Sequence, residues 1–219
     1  MQWCKFACKY CSNPDTRKKD WWTTYTIDWL VEELLSYKAY YGKKWWVTFS
    51  GGECTLQAEA LVEVCSHLKK ERIHICIDTN GSQMNSHVEK LLGLTDIVLL
   101  DIKHSDEEKH LRLTWAKLTP VLNFLEYLED KEKPYRIRHV VIPWYTDAPE
   151  HMQAFAQILS WKQYLKKLNL LPYHEMWLHK WVQMWRKYPL AWVSPPSNQT
   201  IDTFRSLCKA KLSDSVLVQ

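Results

Sequence analysis

Helical and strand-like patterns alternate along the 219 residues, and this alternation limits the choice of fold more than any other feature. Short apolar runs typical of buried strands lie at 46–49, 73–77, 97–100, 137–142 and 168–171. Apolar residues at helical spacing predict helices near 27–35, 61–68, 88–92, 118–128, 152–159 and 201–209. The alternation predicts an α/β fold of parallel strands joined by right-handed crossovers, as an open sheet or a barrel.

Polar residues cluster in or just after the predicted strands. They occupy 50–53, 78–81 and 101–103, and include Arg138 and His174. In parallel α/β folds, binding and catalytic sites are built at the carboxyl ends of the strands. The sequence therefore predicts a functional site at this edge. No linker, repeat or low-complexity tract divides the chain, so residues 1–219 are expected to form a single domain.

Composition excludes several classes of protein. Hydrophobic residues make up 46% and charged residues 25%, as in a soluble globular chain with a substantial core. No run of about 18 apolar residues is present, so no membrane span is expected. A net charge of +4 is too weak to indicate nucleic-acid binding. The chain shows no secretory signal, and its seven cysteines then favour the reducing cytoplasm and a metal or chemical role.

Three of the cysteines, Cys4, Cys8 and Cys11, lie within eight residues of one another. A cluster of four irons usually takes four cysteines, so three leave one iron open to another ligand. A structural zinc ion is bound by four ligands. No histidine or fourth cysteine lies near this loop in the sequence, since the next cysteine is Cys54. The spacing favours an iron–sulfur cluster, with a zinc site and three unconnected thiols as the alternatives.

The C-x3-C-x2-C spacing, with Tyr10 before the third cysteine, resembles the signature of radical S-adenosylmethionine (SAM) enzymes. Further motifs follow in the order expected of the pyruvate formate-lyase activating enzyme family: CSNPDT at 11–16, SGGE at 50–53, LQAE at 56–59, DTNG at 78–81, DIK at 101–103, LLPYHE at 170–175 and HKW at 179–181. The resemblance covers residues 2 to about 212. It implies a partial (β/α)6 barrel with TIM-like topology.

The resemblance also implies roles for individual residues. Cys4, Cys8 and Cys11 would hold a 4Fe-4S cluster whose open iron chelates SAM. Asp78, Thr79 and Asn80 would line the pocket that the glycine of a partner protein enters. Contacts to the cofactor would come from Tyr10, Cys11, Ser12, Gly51, Gly52, Asp101, Ile102, Lys103, Arg138 and His174.

The activity implied by the resemblance is reductive cleavage of SAM to generate a glycyl radical on pyruvate formate-lyase. The expected partners are that enzyme and an electron donor of the flavodoxin or ferredoxin type, and the chain is expected to be a monomer. Three alternatives stay open: an activase of another glycyl-radical enzyme, a non-catalytic iron–sulfur or metal-binding module of the same fold, and a nucleic-acid-binding protein. Many activases of the first kind carry an eight-cysteine insertion, and no such set lies between Cys11 and Cys54.

The sequence departs from the family in two respects. The family normally carries a longer segment, with the first barrel strand, before the first cluster cysteine, so an unpaired sheet edge is expected here. The chain also has 13 Trp and only 5 Gly. Tryptophan stands where the family has glycine or another small residue at Trp3, Trp21, Trp22, Trp45, Trp46, Trp115, Trp144, Trp177 and Trp185. Because a left-handed backbone disfavours side chains, these residues are expected to reduce stability.

Overall fold

The computed structural model describes residues 1–17, 23–40 and 46–219. The strands are β1 Trp46–Phe49, β2 His74–Thr79, β3 Ile97–Asp101, β4 Tyr135–Val141, β5 Leu165–Pro172 and β6 Leu217–Val218. The α-helices are α1 Ile27–Ser36, α2 Ala58–Lys70, α3 Ser86–Leu94, α4 Glu107–Thr114, α5 Thr119–Asp130, α6 Pro149–Leu159, α7 Leu178–Gln183 and α8 Asn198–Lys211. Short 3-10 helices lie at Pro14–Arg17, Tyr37–Tyr40 and Cys54–Gln57.

The strands form one parallel six-stranded sheet in chain order from β1 to β6. Val47 pairs with Ile75, and Leu100 pairs with Ile137. The sheet is open, with β1 and β6 at its two edges in the part of the chain that the structure describes. The predicted α/β class and the partial, open barrel are confirmed.

Local sequence explains where these elements begin and which face they bury. Four helices start at a residue whose side-chain oxygen accepts the third helical N–H, which caps the helix; these residues are Thr26, Asn85, Asp106 and Ser197. Along β4, buried and partly buried residues alternate, so Arg138 and His139 point to opposite faces of the sheet. Arg138 faces the site described below, and His139 packs against Phe155 of α6 and Phe204 of α8.

All five predicted strands and all six predicted helices are present, with ends shifted by a few residues. Among the described α-helices and strands, three were not predicted: α4, α7 and β6. The short 3-10 helices were not predicted either. The α7 helix has six residues and β6 has two, too few to show a period. Among the described residues, no helix is both long and apolar enough to cross a lipid bilayer.

The expected backbone strain is present at four of the nine tryptophans. Trp3, Trp115, Trp144 and Trp185 have φ angles of 77°, 61°, 69° and 55°. Trp46 lies in β1, and Trp177 has φ −91°, so the expectation was wrong for these two. Trp21, Trp22 and Trp45 lie outside the described residues. The sequence also predicts that Gly42 ends the first helix, and Gly42 too lies outside the described residues.

Three histidines are buried together between the sheet and the helices that cover it. His104 follows β3, His139 lies on β4 and His151 on α6, and all three are almost fully inaccessible to solvent. Burial, the largest effect, lowers the pKa of His104 and of His139 to about 4. Burial and the neighbouring histidines lower the pKa of His151 still further. The folded protein therefore keeps all three imidazoles neutral near pH 6.

Because of these neutral histidines, we expect stability to fall on acidification. An unfolded histidine has a pKa near 6.5 and binds a proton as the pH drops, whereas the folded chain does not until about pH 4. The stability that the neutral histidines provide is thus fully present above pH 6.5. Below about pH 6 the free energy of unfolding falls by roughly 1 kcal/mol per histidine for each pH unit. Urea titrations between about pH 7 and pH 5 measure this slope. The His104→Asn variant should show a shallower slope; an equal slope in both proteins would contradict the assignment.

Candidate active site

The carboxyl ends of the strands and the N-terminal loop enclose a cavity of about 320 Å3. Its size is within the range of small-molecule binding sites. Nearly all the residues predicted from the sequence line it: Cys4, Cys8, Tyr10, Cys11, Ser12, Gly51, Gly52, Asp78, Thr79, Asn80, Asp101, Lys103, Arg138 and His174. The fold therefore brings these residues to one place, as expected for the edge where parallel strands end.

Ile102 is the one predicted site residue that the structure places elsewhere. Its side chain is completely buried in the hydrophobic core. Its backbone N–H donates to the carbonyl of Arg138 at 3.3 Å, and its carbonyl lies 2.7 Å from Nδ1 of His139. The backbone of Ile102 thus sets the positions of its neighbours Asp101 and Lys103.

The loop that carries the three cysteines is anchored to the end of α4. The backbone N–H of Ala7 donates to the carbonyl of Thr114 at 2.7 Å, and that of Lys9 donates to the carbonyl of Leu113 at 3.0 Å. The ring of Phe6 packs edge-on against His110 of the same helix. The unpredicted helix α4 therefore holds the middle of this loop.

A second anchor comes from the HKW segment, which forms part of α7. The indole Nε1 of Trp181 donates to the carbonyl of Cys11 at 3.0 Å, and Nζ of Lys180 donates to Oδ1 of Asn13 at 2.6 Å. Trp181 is buried against the core. These bonds join residues about 170 positions apart in the chain and fix the loop beyond its third cysteine.

The three thiols face the cavity in a setting that suits iron–sulfur binding. Burial raises the pKa of Cys4 to about 11 and that of Cys8 to about 12, and it also raises the pKa of Cys11. The thiols therefore stay protonated near pH 7 and would release protons on binding iron. The side-chain amide of Asn80 donates to Sγ of Cys4 at 3.6 Å, a contact of the kind that tunes iron–sulfur clusters. In the described part of the chain, no Cys, His, Asp or Glu side chains converge tightly enough to hold a single metal ion.

Opposite the thiols lies a buried network of alternating charges. Nε of Arg138 donates to Oδ1 of Asp101 at 2.9 Å, and Nζ of Lys103 donates to Oδ2 of the same carboxylate at 2.7 Å. Arg138 also pairs with Asp78, which accepts a hydrogen bond from Oγ of Ser50 at 2.7 Å. The side chains of Asp101 and Lys103 are only 17% and 14% exposed, so this is not a surface ion pair.

The two carboxylates of this network have different electrostatic surroundings. Burial tends to raise the pKa of Asp101, but Lys103 and Arg138 outweigh it and lower that pKa. At Asp78 burial and the nearby charge of Asp101 prevail, and the pKa is raised. Asp101 raises the pKa of Lys103 well above its usual value despite burial. The network therefore offers fixed positive and negative groups to a zwitterionic ligand.

His174 and Tyr10 form a further part of the cavity wall. The ring of His174 lies 4.4 Å from that of Trp177, and its Nδ1 is buried without a hydrogen-bond partner among the described residues. Nζ of Lys103 lies 5.6 Å from the centre of the Tyr10 ring. A buried, unpartnered ring nitrogen is a candidate contact for a polar ligand.

Gly51 and Gly52 are required first by the packing of the chain itself. A Cβ atom added at Gly51 would lie 2.0 Å from the carbonyl oxygen of Met1, and one added at Gly52 would lie 2.3 Å from that of Trp3. Gly51 also has φ 129°, which favours glycine. These glycines let residues 1–3 run beside the end of β1, and both glycines line the cavity.

Glu53 was missing from the predicted site residues although it lies in the SGGE segment. Only 1% of it is exposed. Its carboxylate accepts hydrogen bonds from N and Oγ1 of Thr55, from Oγ1 of Thr79 at 2.6 Å and from the backbone N–H of Asn80 at 2.7 Å. It therefore ties the end of β1 to the end of β2.

We expect Glu53→Ala to reduce the free energy of unfolding by about 3 kcal/mol, because several buried donors lose their acceptor at about 1–3 kcal/mol each. Urea unfolding of the purified variant measures this loss. Glu59→Ala, at an exposed glutamate of α2, is the matched control and should change stability by less than about 0.5 kcal/mol. Equal stabilities of the two variants would show that the buried bonds contribute nothing.

The amino-acid sequence is similar to those of proteins of known function. The family model described as the radical SAM superfamily matches residues 1–156. A pyruvate formate-lyase-activating enzyme of Listeria monocytogenes is 36% identical over 208 residues, which cover 92% of this chain and 84% of that protein. A pyruvate formate-lyase-activating enzyme of Staphylococcus aureus is 37% identical over 208 residues, which cover 91% of this chain and 83% of that protein. The chain belongs to the pyruvate formate-lyase-activating enzyme family of the radical SAM superfamily.

Solved structures support the same fold at lower sequence identity. A domain of a pyruvate-formate lyase-activating enzyme from Bacteroides vulgatus superimposes with a TM-score of 0.65 at 20% identity, covering 79% of this chain and 98% of that one. SuiB of Streptococcus suis, bound to S-adenosylmethionine, superimposes with a TM-score of 0.76 at 12% identity. The superposition covers 100% of this chain and 48% of the SuiB chain. This activating-enzyme family member thus shares its fold with another activating enzyme and with SuiB.

Proposed function

We propose that this chain is an activating enzyme that cleaves SAM reductively at a 4Fe-4S cluster and generates a glycyl radical on pyruvate formate-lyase. The observation that supports this most strongly is that three thiols and a buried network of Asp, Arg and Lys side chains line one cavity. Membership of the activating-enzyme family supports the same reaction.

Cys4, Cys8 and Cys11 would hold the cluster, and the donor set fits it, because soft thiolates are the usual ligands of iron–sulfur clusters. When bound and reduced, the cluster supplies the electron that splits SAM into methionine and a deoxyadenosyl radical able to take hydrogen from a glycine Cα. The hydrogen bond from Asn80 to Cys4 and the anchors on α4 and α7 hold the cysteines in place.

The charged network would bind the methionine end of SAM. Lys103 and Arg138 would face its carboxylate, while Asp101 and Asp78 would face its ammonium group and sulfonium charge. Each charge is already fixed by a partner, so little reorganisation is needed on binding. The backbone at Gly51 and Gly52 lines the same region.

The other predicted residues line the remaining walls of the cavity. His174, with its unpartnered Nδ1, would contact the nucleoside, and Tyr10, Ser12 and the backbone of Cys11 would face the adenine side. Asp78, Thr79 and Asn80 would border the entry of the partner's glycine. Of these, Thr79 is bonded to Glu53, whereas Asp78 belongs to the charged network and Asn80 contacts Cys4.

The partner in this proposal is a glycyl-radical enzyme, specifically pyruvate formate-lyase, and the electron donor is of the flavodoxin or ferredoxin type. In this proposal residues 1–219 act as one domain, which is supported by one cluster of buried apolar residues that extends from Phe6 to Val218. The protein would work as a monomer in the cytoplasm, where reducing conditions preserve free thiols.

The direct test is anaerobic incubation of the reconstituted protein with SAM, a reductant and pyruvate formate-lyase. We expect a glycyl-radical signal in electron paramagnetic resonance (EPR) spectra, absent with the Cys8→Ala variant and with a partner whose acceptor glycine is alanine. A signal on a different glycyl-radical enzyme alone would favour an activase of that enzyme. Absence of any radical, with SAM left intact, would favour a non-catalytic module.

A further inference from the structure

The three buried histidines lie directly behind the charged network, on the other face of the sheet. His139 follows Arg138 on β4, and His104 follows Lys103 after β3. His151 reaches this pair from α6, with its ring 4.2 Å from that of His104 and 5.0 Å from that of His139. None of these side chains lines the cavity itself.

The hydrogen bonds allow only one proton arrangement for the neutral imidazoles. The carbonyl of Ile102 can only accept, so Nδ1 of His139, at 2.7 Å, carries the proton. Nε2 of His139 is then an acceptor, and Nε2 of His151, at 3.1 Å, must donate to it. Nδ1 of His151 in turn accepts from Oγ of Ser105 at 2.7 Å. The result is a directed series of bonds from Ser105 to the Ile102 carbonyl.

This series ends at the carbonyl of Ile102, which lies between Asp101, the last residue of β3, and Lys103. Ile102 lies just beyond the last residue of the strand and is joined to β4 by one long backbone bond of 3.3 Å to Arg138. The shorter bond from His139 supplies the second attachment. Because Asp101 and Lys103 flank Ile102, rotation of this peptide would move both charged groups.

We propose that His139 is a positioning residue for SAM binding. Its Nδ1–H fixes the Ile102 carbonyl, and with it the spacing of Asp101 and Lys103, while His151 and Ser105 hold the ring in the required tautomer. The proposal rests on the function proposed above, in which Asp101 and Lys103 bind the methionine end of the cofactor.

Three variants separate positioning from core packing. His139→Leu removes the donor, and we expect SAM affinity of the reconstituted protein to fall about tenfold, as for loss of one buried hydrogen bond. His139→Asn keeps an N–H near the position of Nδ1 and should restore most of that affinity. His104→Leu is the matched control, because His104 is equally buried but bonds to Tyr145 and Asp106. The affinity of this variant for SAM should stay within about twofold of that of the parent protein.

Hydrogen exchange at the Ile102 and Lys103 amides tests the positioning without SAM or cluster. His139→Leu should accelerate exchange there, and His104→Leu should not; if His139→Leu does not fold, His151→Leu, which removes the donor to His139, replaces it. Equal loss of affinity in His139→Leu and His104→Leu, or unchanged exchange at these amides, would overturn the proposal. If the parent protein fails to bind SAM, the proposed function fails, and the exchange experiment still decides the role of His139.

A separate inference comes from the four tryptophans with left-handed backbone. Trp115, Trp144 and Trp185 are 75%, 81% and 96% exposed, so their side chains bury little surface to offset their strained backbone. Trp115 occupies the left-handed position that ends α4, where glycine is strongly favoured. A left-handed backbone favours glycine over tryptophan, and an exposed indole ring gains little from burial at these positions.

We infer that Trp3, Trp115, Trp144 and Trp185 are encoded by UGA, a codon that some genetic codes read as tryptophan and others as glycine, and that the cell of origin inserts glycine. The total of 13 Trp against 5 Gly agrees with such a reassignment. Trp181 serves as the internal control, because it is buried and its indole nitrogen bonds to Cys11.

The codons of the gene and the peptide masses of the protein isolated from its own cells test this inference. We expect UGA at the four positions and UGG at Trp181, with peptide masses that correspond to glycine at the four positions. UGG at those positions, or peptide masses that correspond to tryptophan, would overturn the inference.

Discussion

Cys8→Ala is expected to lose the iron–sulfur cluster completely, because three protein thiolates are the minimum for a cluster with one open iron. Cys8 is the most buried of the three and faces the cavity between Cys4 and Cys11. Iron and sulfide analysis after anaerobic reconstitution measures the loss. The same result is expected for Cys4→Ala and Cys11→Ala.

Cys208→Ala is the control for this experiment. Cys208 is also buried but lies on α8, and it does not line the cavity. We expect it to bind the same amount of iron as the parent protein. Parental iron content in Cys8→Ala would show that the three-cysteine loop is not the cluster site.

Combined replacement of Trp115, Trp144 and Trp185 by glycine is expected to raise the free energy of unfolding by about 3 kcal/mol. Each replacement relieves a left-handed residue at about 1–2 kcal/mol and removes an exposed side chain, while the greater freedom of glycine in the unfolded chain offsets part of the gain. The three positions lie in separate turns, so their effects should add. Urea titration of the triple variant against the parent measures the difference.

Trp177→Gly provides the opposite case. Trp177 has φ −91°, and its ring packs on His174 and Tyr173, so replacement removes contacts without relieving strain. We expect this variant to be less stable than the parent. If the triple variant also lost stability, the left-handed tryptophans would be well accommodated, and their exposure would need another explanation.

The sequence predicted the strands and the residues at their ends because both depend on local patterns. Apolar runs identify β1 to β5, and the end of a parallel strand necessarily lies at the same edge as its neighbours. That rule brings Asp78 and Asp101 together, whereas Arg138 lies in the middle of β4 and joins them because it pairs with Asp101 in the sheet. It does not reveal that Arg138 lies between the two carboxylates, which depends on side-chain conformation.

The helices that hold the cysteine loop were not predicted, for two physical reasons. The buried face of α4 consists of His110, Leu113 and Thr114, so it lacks the stripe of apolar residues by which the other helices were identified. The α7 helix is very short, and its role depends on two side-chain bonds to a loop at the other end of the chain. Glu53 and His139 were missed for a related reason, since their buried hydrogen bonds join residues that are distant in sequence.

The central claim is that the three-cysteine cavity holds a cluster whose open iron binds SAM. EPR spectroscopy of the reconstituted, reduced protein tests it most directly, with and without SAM. We expect the signal of a reduced 4Fe-4S cluster, with a clear change in line shape and g values when SAM is added. An identical spectrum in both samples, at full iron content, would contradict the claim.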